Sequence, residues 1–486
     1  MMSKKSVLTV LFIGMMMSVH AQIIYTMNEI VEHALHGSVV AKQNETQQKV
    51  SYWKYITFKG GYYPSLRLSS YSTAYSKTFS PITQPDGTIA FRSINQTNPS
   101  LQLGIVQPIG WTNGIISANT SLNYFNNITS RQSQWNGNVM NISLSQPLFS
   151  FNALKWNKRI QPMVFEESKR NYVQQREMIS RDALQLFFDL LSAQVNLEIA
   201  NFNRANNDTV FDIATARYNF GTVGSAELYL AELEKLTSEE DVANAMLELQ
   251  TTQLKLKSYI GLPDAETFTL ILPAEIPEFS LSIDEALMYA KQNRSEYIAF
   301  TRRRIEADQI VAQAKGSIYQ TSITATYGLN KAGPEVRDVY YNPIPQQVLG
   351  VSLNVPLVSW GLNRAKVETA ISSKELADYI IAQEEVNFEQ EVITLAKRME
   401  TLRLRINITK RSDEVARQRY LSDQKRYTLG NIDITYLNIA QTAKDAAKRN
   451  YLFALKEFWI AYYDLRRLTL YDFNLKKPLY MSGVTD

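Results

Sequence analysis

The feature that most constrains this sequence is an internal duplication, because a unit of roughly 200 residues occurs twice. Residues 25–71 align without gaps with residues 281–327 at a constant offset of 256. Two later segments align at an offset of 209, namely 142–157 with 351–366 and 217–230 with 426–439. The first copy therefore carries about 47 additional residues. Self-similarity over such distances predicts a repeat architecture.

Residues 1–21 are predicted to be a signal peptide, with Lys4 and Lys5 before a mostly apolar stretch, Val7 to Met17. The chain has no cysteine, which excludes disulfides, thiolate metal sites and an acylated cysteine anchor. Beyond the signal peptide, no segment approaches the roughly 18 apolar residues of a membrane-spanning helix. A net charge of +4 on 486 residues is too weak to indicate nucleic-acid binding.

Glycine and proline are absent from four long runs, which predicts long helices. The runs are 163–220, 225–260, 362–429 and 431–476. Apolar residues recur at helical spacing within them, as in Leu184, Phe187, Phe188, Leu191 and Val195. The glycines between paired runs predict the tips of two antiparallel hairpins, at 221–224 and 430–433. Each repeat also opens with a predicted capping box, Thr26 with Glu29 and Ser282 with Glu285.

Short alternating segments between the helices predict strands of about 10 residues. Ile323, Ala325, Tyr327 and Leu329 alternate with small or polar residues, as do Leu349, Val351, Leu353 and Val355. One apolar face and one polar face are typical of transmembrane β-strands. The Pro-, Asn- and Asp-rich segments at about 79–97 and 331–345 are predicted to be surface loops.

The additional residues of the first copy predict an extra β-hairpin at about 98–127. Asn113-Gly114 lies between two alternating runs, which is a strong hairpin signal. Gln107-Pro-Ile also echoes Gln146-Pro-Leu. The first repeat would then have four strands and the second two. A long ordered loop is the alternative.

The chain resembles the TolC family of outer-membrane efflux proteins over residues 25–473. The resemblance is carried by the twofold repeat, by Ser145-Gln-Pro-Leu-Phe149 and by the tip motifs Arg217-Tyr-Asn-Phe-Gly221 and Arg426-Tyr-Thr-Leu-Gly430. Ala440-Gln441 follows the second tip, and the ending Phe458 to Phe473 is similar to that of Bacteroidota members in particular.

The resemblance implies an α+β membrane protein with a twofold repeat. Long helical hairpins would form a periplasmic helical barrel, and the strands of three chains would close one shared transmembrane β-barrel. We expect repeat 1 at 22–270, with strands at about 62–149, and repeat 2 at 271–473, with a hairpin at about 318–357. A tail of 474–486 follows. Family members have four strands per chain and twelve per trimer; the extra hairpin would give six and eighteen, unless it folds outside the wall.

The function implied by the resemblance is passive conduction in a tripartite efflux system. Partners would be two further copies of the chain, a periplasmic adaptor, an inner-membrane pump acting through that adaptor, and outer-membrane lipid, but no nucleic acid. The expected location is the outer membrane with a long periplasmic extension. Type I protein secretion through the same duct is an alternative. A periplasmic adaptor or structural coiled-coil protein is an alternative of a different class.

The resemblance also implies two sets of site residues. The adaptor would dock at the tips, on Phe220, Gly221, Thr222, Leu429, Gly430 and Asn431. Family members commonly close their periplasmic aperture with aspartates six and nine residues after the second tip glycine, where this chain has Tyr436 and Ile439. An aromatic and apolar constriction is therefore expected. Tyr427 and Asp433 are further aperture candidates, although packing and helix-dipole roles, respectively, explain them as well.

Enzyme chemistry is not expected. His33 and His36 share a helix, but Glu29 and Glu32 are the only further ligand candidates nearby, so no metal site is predicted. Phosphate-binding and nucleotide motifs are absent, and no cofactor is predicted.

Overall fold

The computed structural model describes residues 23–263, 268–273 and 275–480. The predicted signal peptide and residues 481–486 of the predicted tail lie outside the described residues. The helices are α1 (Met27–Gly37), α2 (Val39–Gly60), α3 (Ala153–Asn219), α4 (Ser225–Ile260), α5 (Ile283–Asn293), α6 (Ser295–Gly316), α7 (Val336–Tyr340), α8 (Leu362–Thr428) and α9 (Ile434–Thr469). The strands are β1 (Ile23–Tyr25), β2 (Ser65–Tyr71), β3 (Tyr75–Thr83), β4 (Ile89–Thr97), β5 (Ser100–Ile109), β6 (Gly114–Asn127), β7 (Gln132–Leu148), β8 (Phe268–Leu270), β9 (Gln320–Gly333), β10 (Ile344–Asn354), β11 (Tyr471–Asp472) and β12 (Lys477–Pro478).

The chain divides into two compact units. The helical unit consists of the described parts of Met1–Asn44, Val173–Ala286 and Val392–Asp486. The strand unit consists of Glu45–Tyr172 and Leu287–Glu391. Across the described residues, no helix combines the length and the apolar character needed to cross a membrane.

Four long helices occupy the runs that lack glycine, as predicted. They are α3 and α8, each of 67 residues, and α4 and α9, each of 36 residues. In the helical unit, Leu184, Phe187 and Phe188 of α3 are completely buried, which confirms the predicted apolar face. The predicted capping box of the first repeat is also present, because Thr26 and Glu29 accept hydrogen bonds from each other's backbone N–H groups.

The strand unit contains one eight-stranded sheet. Its neighbours run in the order β10, β9, β7, β6, β5, β2, and every pairing is antiparallel. The remaining two strands form a hairpin that meets the sheet at one point only, where Gln96 and Thr97 of β4 pair with the end of β6.

The surface loop predicted at about 79–97 is wrong, because β3 and β4 occupy it. Phe79 stacks on Phe91 across the hairpin with ring centroids 5.6 Å apart. The turn is stabilised by Asp86, which accepts hydrogen bonds from the N–H and hydroxyl of Thr88, and by Gly87 at φ +83°. Proline and aspartate in this segment therefore mark a tight turn inside a hairpin and not an irregular loop. The second predicted loop, 331–345, holds the end of β9, the short helix α7 and the start of β10.

Charged side chains link the helices of the strand unit. Arg304 of α6 lies 3.0 Å from Glu385 of α8. Arg303 pairs with Glu384 in the same pair of helices, and Asp308 pairs with Lys374. Arg302 of α6 lies 2.8 Å from Glu167 of α3. The Arg302–Glu167 pair is the most buried of these, with both side chains 19% exposed.

Candidate functional site

The first helical hairpin closes at Gly221 with a complete helix C-cap. The N–H of Gly221 donates to the Tyr218 carbonyl, and the N–H of Thr222 donates to the Arg217 carbonyl, both at 2.9 Å. Gly221 has φ +72°, a left-handed conformation in which any other residue carries steric strain. These two bonds are the Schellman arrangement. The motif Arg-Tyr-Asn-Phe-Gly thus ends α3 and reverses the chain.

The second hairpin closes in the same way at Gly430. Its N–H donates to the Tyr427 carbonyl, and the N–H of Asn431 donates to the Arg426 carbonyl, again at 2.9 Å. Gly430 has φ +77°. The duplicated tip sequences therefore produce duplicated tip geometry.

Each tip presents an apolar side chain to solvent. Phe220 is 84% exposed and Leu429 is 74% exposed. The other four docking candidates, Gly221, Thr222, Gly430 and Asn431, are also exposed. Burying a large apolar side chain is favoured by the hydrophobic effect, so the exposed side chains of Phe220 and Leu429 are suited to contact with another protein.

Arg217 joins the two tips. Its Nη2 atom donates to the Tyr427 carbonyl at 2.7 Å and to the Thr428 carbonyl at 3.4 Å, at the C-terminal end of α8. Its guanidinium also lies over the Tyr427 ring, 4.9 Å from the centroid. A cation here complements the helix dipole and the unpaired carbonyls. Sequence reasoning identified Arg217 as part of a repeated motif but not this contact between the tips.

Tyr427 is buried in the hairpin core, at 1% exposure. Its neighbours in that cluster are Val210, Ala214, Ala231, Tyr420, Ile434, Leu437 and Ala440. Burial raises the pKa of Tyr427, with a further contribution from the nearby Glu227 carboxylate. Within this chain the side chain packs between helices and does not reach an open surface.

Asp433 is the N-cap of α9. Its Oδ1 atom accepts a hydrogen bond from the N–H of Tyr436 at 3.2 Å. The corresponding position in the first hairpin is Gly224, which has no side-chain cap. The carboxylate therefore stabilises the start of the helix that carries the remaining aperture candidates.

Tyr436 and Ile439 lie on the open face of α9. They are 59% and 52% exposed, whereas Ile434, Leu437 and Ala440 on the other face are buried. Residues three apart on a helix are neighbours on its surface. The two candidates thus form one aromatic and apolar patch, one turn from the tip.

Within the described part of the chain, no group of three or more His, Asp or Glu side chains could hold a metal ion. His33 instead packs edge to face against Tyr25, with ring centroids 5.3 Å apart.

Solved structures with this fold include outer membrane proteins from several bacteria, of which CmeC and MtrE are described as outer membrane channels. CmeC from Campylobacter jejuni is 15% identical, with a TM-score of 0.65, over 91% of this chain and 85% of that chain. VceC from Vibrio cholerae is 14% identical, with a TM-score of 0.63, over 93% and 97%. MtrE from Neisseria gonorrhoeae, in its open state, is 14% identical, with a TM-score of 0.55, over 94% and 91%. No curated protein matches the sequence significantly.

The sequence profile described as "Outer membrane efflux protein" matches residues 114–262 and 287–469. This match spans more than half of the sequence and includes both helical hairpins with their tips. The chain therefore belongs to the outer membrane efflux protein family.

Proposed function

We propose that three copies of this chain form the outer-membrane channel of a tripartite export system. The channel conducts substrates passively after an inner-membrane pump delivers them through a periplasmic adaptor. The observation that carries the proposal is the pair of matched tips, each closed by a glycine cap and each exposing one large apolar side chain, Phe220 or Leu429. A duplicated docking element of this kind suits a partner that surrounds the end of a tube.

The two-faced sheet supports the outer-membrane location. Ile323, Ala325 and Tyr327 of β9 face the same side as Leu349 and Val351 of β10, because they are paired or alternate along the strands. The intervening residues are small or polar. One apolar and one polar face suit a wall with lipid on one side and water on the other.

An apolar stripe on α4 supports assembly of three copies. Tyr229, Leu233, Leu236, Leu247 and Leu254 are each at least 55% exposed. Their spacing of four, three, eleven and seven residues keeps them in one heptad register, as in the seam of a coiled coil. A stripe of this length on a helix of the helical unit suits packing against a helix of a second copy.

The constriction is proposed to be aromatic and apolar. Tyr436 and Ile439 would approach their counterparts around the threefold axis and exclude water, and Asp433 would hold the start of α9 in place through its cap. Closure through apolar contact does not depend on bound cations, in contrast to a ring of carboxylates.

The test is electrical recording of the purified mature protein in planar lipid bilayers. We expect discrete conductance steps, together with recovery of the protein in the outer-membrane fraction of cells. A soluble periplasmic protein without conductance would contradict the proposal and favour a structural coiled-coil role.

Adaptor docking has a separate test, photo-crosslinking in cells from a photoreactive phenylalanine analogue. The analogue is placed at Phe220 or Leu429, and the control position is Tyr379, which is 67% exposed in the strand unit. Adducts with a periplasmic protein that carries a helical hairpin are expected from both tips and not from the control. Equal labelling from all three positions would contradict docking at the tips.

A further inference from the structure

The extra hairpin of the first repeat lies inside the continuous sheet. All seven residues of β2 pair with β5, from Ser65 opposite Val106 to Tyr71 opposite Ser100. β5 then pairs with β6 over ten positions, and β6 pairs with β7. The hairpin β5–β6 therefore separates β2 from β7, and six strands run side by side.

The two faces of the sheet stay in phase across the hairpin in the rows next to its turn, and the bulge in β7 between Asn138 and Met140 lies beyond these rows. One cross-strand row is mainly apolar and consists of Leu66, Ile105, Ala118, Ile142, Tyr327 and Gln347. The next row is polar or glycine and consists of Arg67, Gly104, Asn119, Asn141, Gly328 and Gln346. A hairpin folded away from the wall would not be expected to show this alternation of apolar and polar rows, because both of its faces would be in water.

The turn of the hairpin is tied to the rim of the sheet from which α3 leaves. Asn152 precedes α3 and donates from Nδ2 to the carbonyls of Gly110 and Trp111, at 3.2 and 3.1 Å. Gln107 and Gln146 each precede a proline at the end of a strand, and both donate to backbone carbonyls at this rim, Tyr62 and Thr112, at 2.9 and 3.0 Å. The strands β5 and β7 therefore end in the same way, with a Gln-Pro pair whose glutamine donates to a backbone carbonyl at the rim.

The sheet leaves two open edges. Among the described strands, β2 pairs only with β5, and β10 pairs only with β9. Every residue of both edge strands is exposed. With six alternating strands, β2 and β10 run in opposite directions, so the two edges are suited to antiparallel pairing with each other. The two edges of one open sheet lie too far apart to pair with each other, whereas the edge of a second copy can pair with either of them.

We propose that each copy contributes six strands to the membrane wall and that β2 of one copy pairs with β10 of the next. This inference rests on the threefold assembly proposed above and gives an eighteen-stranded barrel. Strands about 4.8 Å apart and tilted by about 40° give a backbone diameter of about 36 Å for eighteen strands and about 24 Å for twelve. The exit duct would then be about 1.5 times as wide as with four strands per copy.

Single-cysteine spin labelling tests whether the hairpin faces lipid, since the chain has no cysteine of its own. Ile105→Cys on the hairpin is matched with Tyr327→Cys on β9, because both side chains lie in one row and are 45% and 44% exposed. Ser117→Cys and Thr326→Cys are the matched pair on the polar face, each paired with Ser143. The labelled trimers are placed in phosphatidylcholine and phosphatidylglycerol vesicles. Collision rates are measured with oxygen and with a water-soluble nickel chelate.

The expected result is that Ile105→Cys matches Tyr327→Cys, with several-fold greater access to oxygen than to the chelate, and that Ser117→Cys matches Thr326→Cys with the reverse preference. If only the β9 positions show the contrast and both hairpin positions favour the chelate, the six-strand wall is overturned and the proposed channel stands. If the β9 positions show no contrast either, the proposed membrane channel itself is overturned.

Electron cryo-microscopy of the detergent-purified protein gives an independent count. Threefold particles with eighteen strands support the inference. Threefold particles with twelve strands overturn it without affecting the proposed function. Particles without a hollow barrel overturn both.

Discussion

The two tip arginines show that repeated residues need not have repeated roles. Arg217 is half-buried and caps the C-terminal end of α8 in the other hairpin. Arg426 occupies the equivalent position in the second copy, but its side chain is 55% exposed and lies 3.4 Å from Asp423 of its own helix. The duplication therefore conserved the backbone motif while one arginine became a link between tips.

Arg217→Ala is expected to loosen the second tip by about 1–2 kcal/mol, because charge-assisted hydrogen bonds to helix carbonyls are lost. Arg426→Ala is the matched control and should change local stability by less than about 0.5 kcal/mol, since the Arg426 side chain is more than half exposed and Asp423 keeps Arg419 as a partner at 3.5 Å. Hydrogen exchange of the amides at 427–431 measures both. Equal acceleration of exchange in the two variants would contradict the link.

A second residue-scale prediction concerns Arg466 at the end of α9. Its Nη2 atom donates to Glu177 Oε1 at 3.0 Å, and its Nη1 atom lies 3.4 Å from Asp472 Oδ2. Glu177 and Asp472 are only 7% and 2% exposed. Removing Arg466 leaves two buried carboxylates without the cation that pairs with both of them.

Arg466→Ala should therefore destabilise the helical unit by about 3–5 kcal/mol. Arg411 of α8 pairs with Glu414 at 2.9 Å with side chains 71% and 49% exposed, so Arg411→Ala, the control, should cost less than about 1 kcal/mol. Urea denaturation followed by circular dichroism compares the two midpoints. Similar shifts of the two midpoints would show that the loss of stability does not come mainly from the buried carboxylates.

At the scale of elements, sequence patterns predicted the helices well because one physical rule governs them. Proline and glycine interrupt helices, and the runs without them match α4 and α8, contain all of α9 and cover most of α3. The rule misses the start of α3 at Ala153, because Pro162 lies inside this helix. The remaining backbone hydrogen bonds of this 67-residue helix keep it continuous across the proline, which a rule based on local sequence does not register.

Strand positions were less predictable, because pairing partners lie far apart in sequence. β3 and β4 were missed since their Pro- and Asp-rich composition is typical of loops, although Tyr75, Lys77 and Phe79 alternate along one face. The cross-strand row from Leu66 to Gln347 cannot be predicted from any single segment either, because it depends on how six strands pair. The tip residues were identified through family resemblance, but the burial of Tyr427 depends on packing between helices.

The stripe on α4 gives a prediction at the element scale. Leu236→Lys places a charge in the proposed seam between copies, and burial of one leucine contributes about 1.5–3 kcal/mol, so association should weaken at least tenfold. Thr237→Lys adds the same charge beside the stripe and should leave the trimer intact. Native mass spectrometry in detergent distinguishes trimer from monomer. A stable Leu236→Lys trimer would place the contact between copies elsewhere.

At the scale of the whole molecule, duplication and insertion act on different parts. The helices of the two hairpins have the same lengths in the two repeats, 67 and 36 residues, whereas the additional residues of the first repeat extend only the sheet of the strand unit. In the proposed channel, docking and gating depend on the duplicated helices, and the width of the exit depends on the number of strands. An insertion confined to the sheet would therefore change what passes that channel without altering the proposed docking geometry.

The proposed aperture provides the last prediction. If three copies of Tyr436 meet at the constriction, Tyr436→Ala removes aromatic contacts worth about 0.5–1.5 kcal/mol per pair, which corresponds to a roughly twofold to tenfold shift toward the open state. Single-channel recording in planar bilayers should show higher open probability or conductance. Tyr379→Ala, which removes a similarly exposed tyrosine from the strand unit, is the control. Unchanged conductance for Tyr436→Ala would mean that Tyr436 does not form the constriction. Ile439→Ala is then measured in the same way: an increase in conductance would place the constriction at Ile439, and no change would mean that the channel does not close at α9.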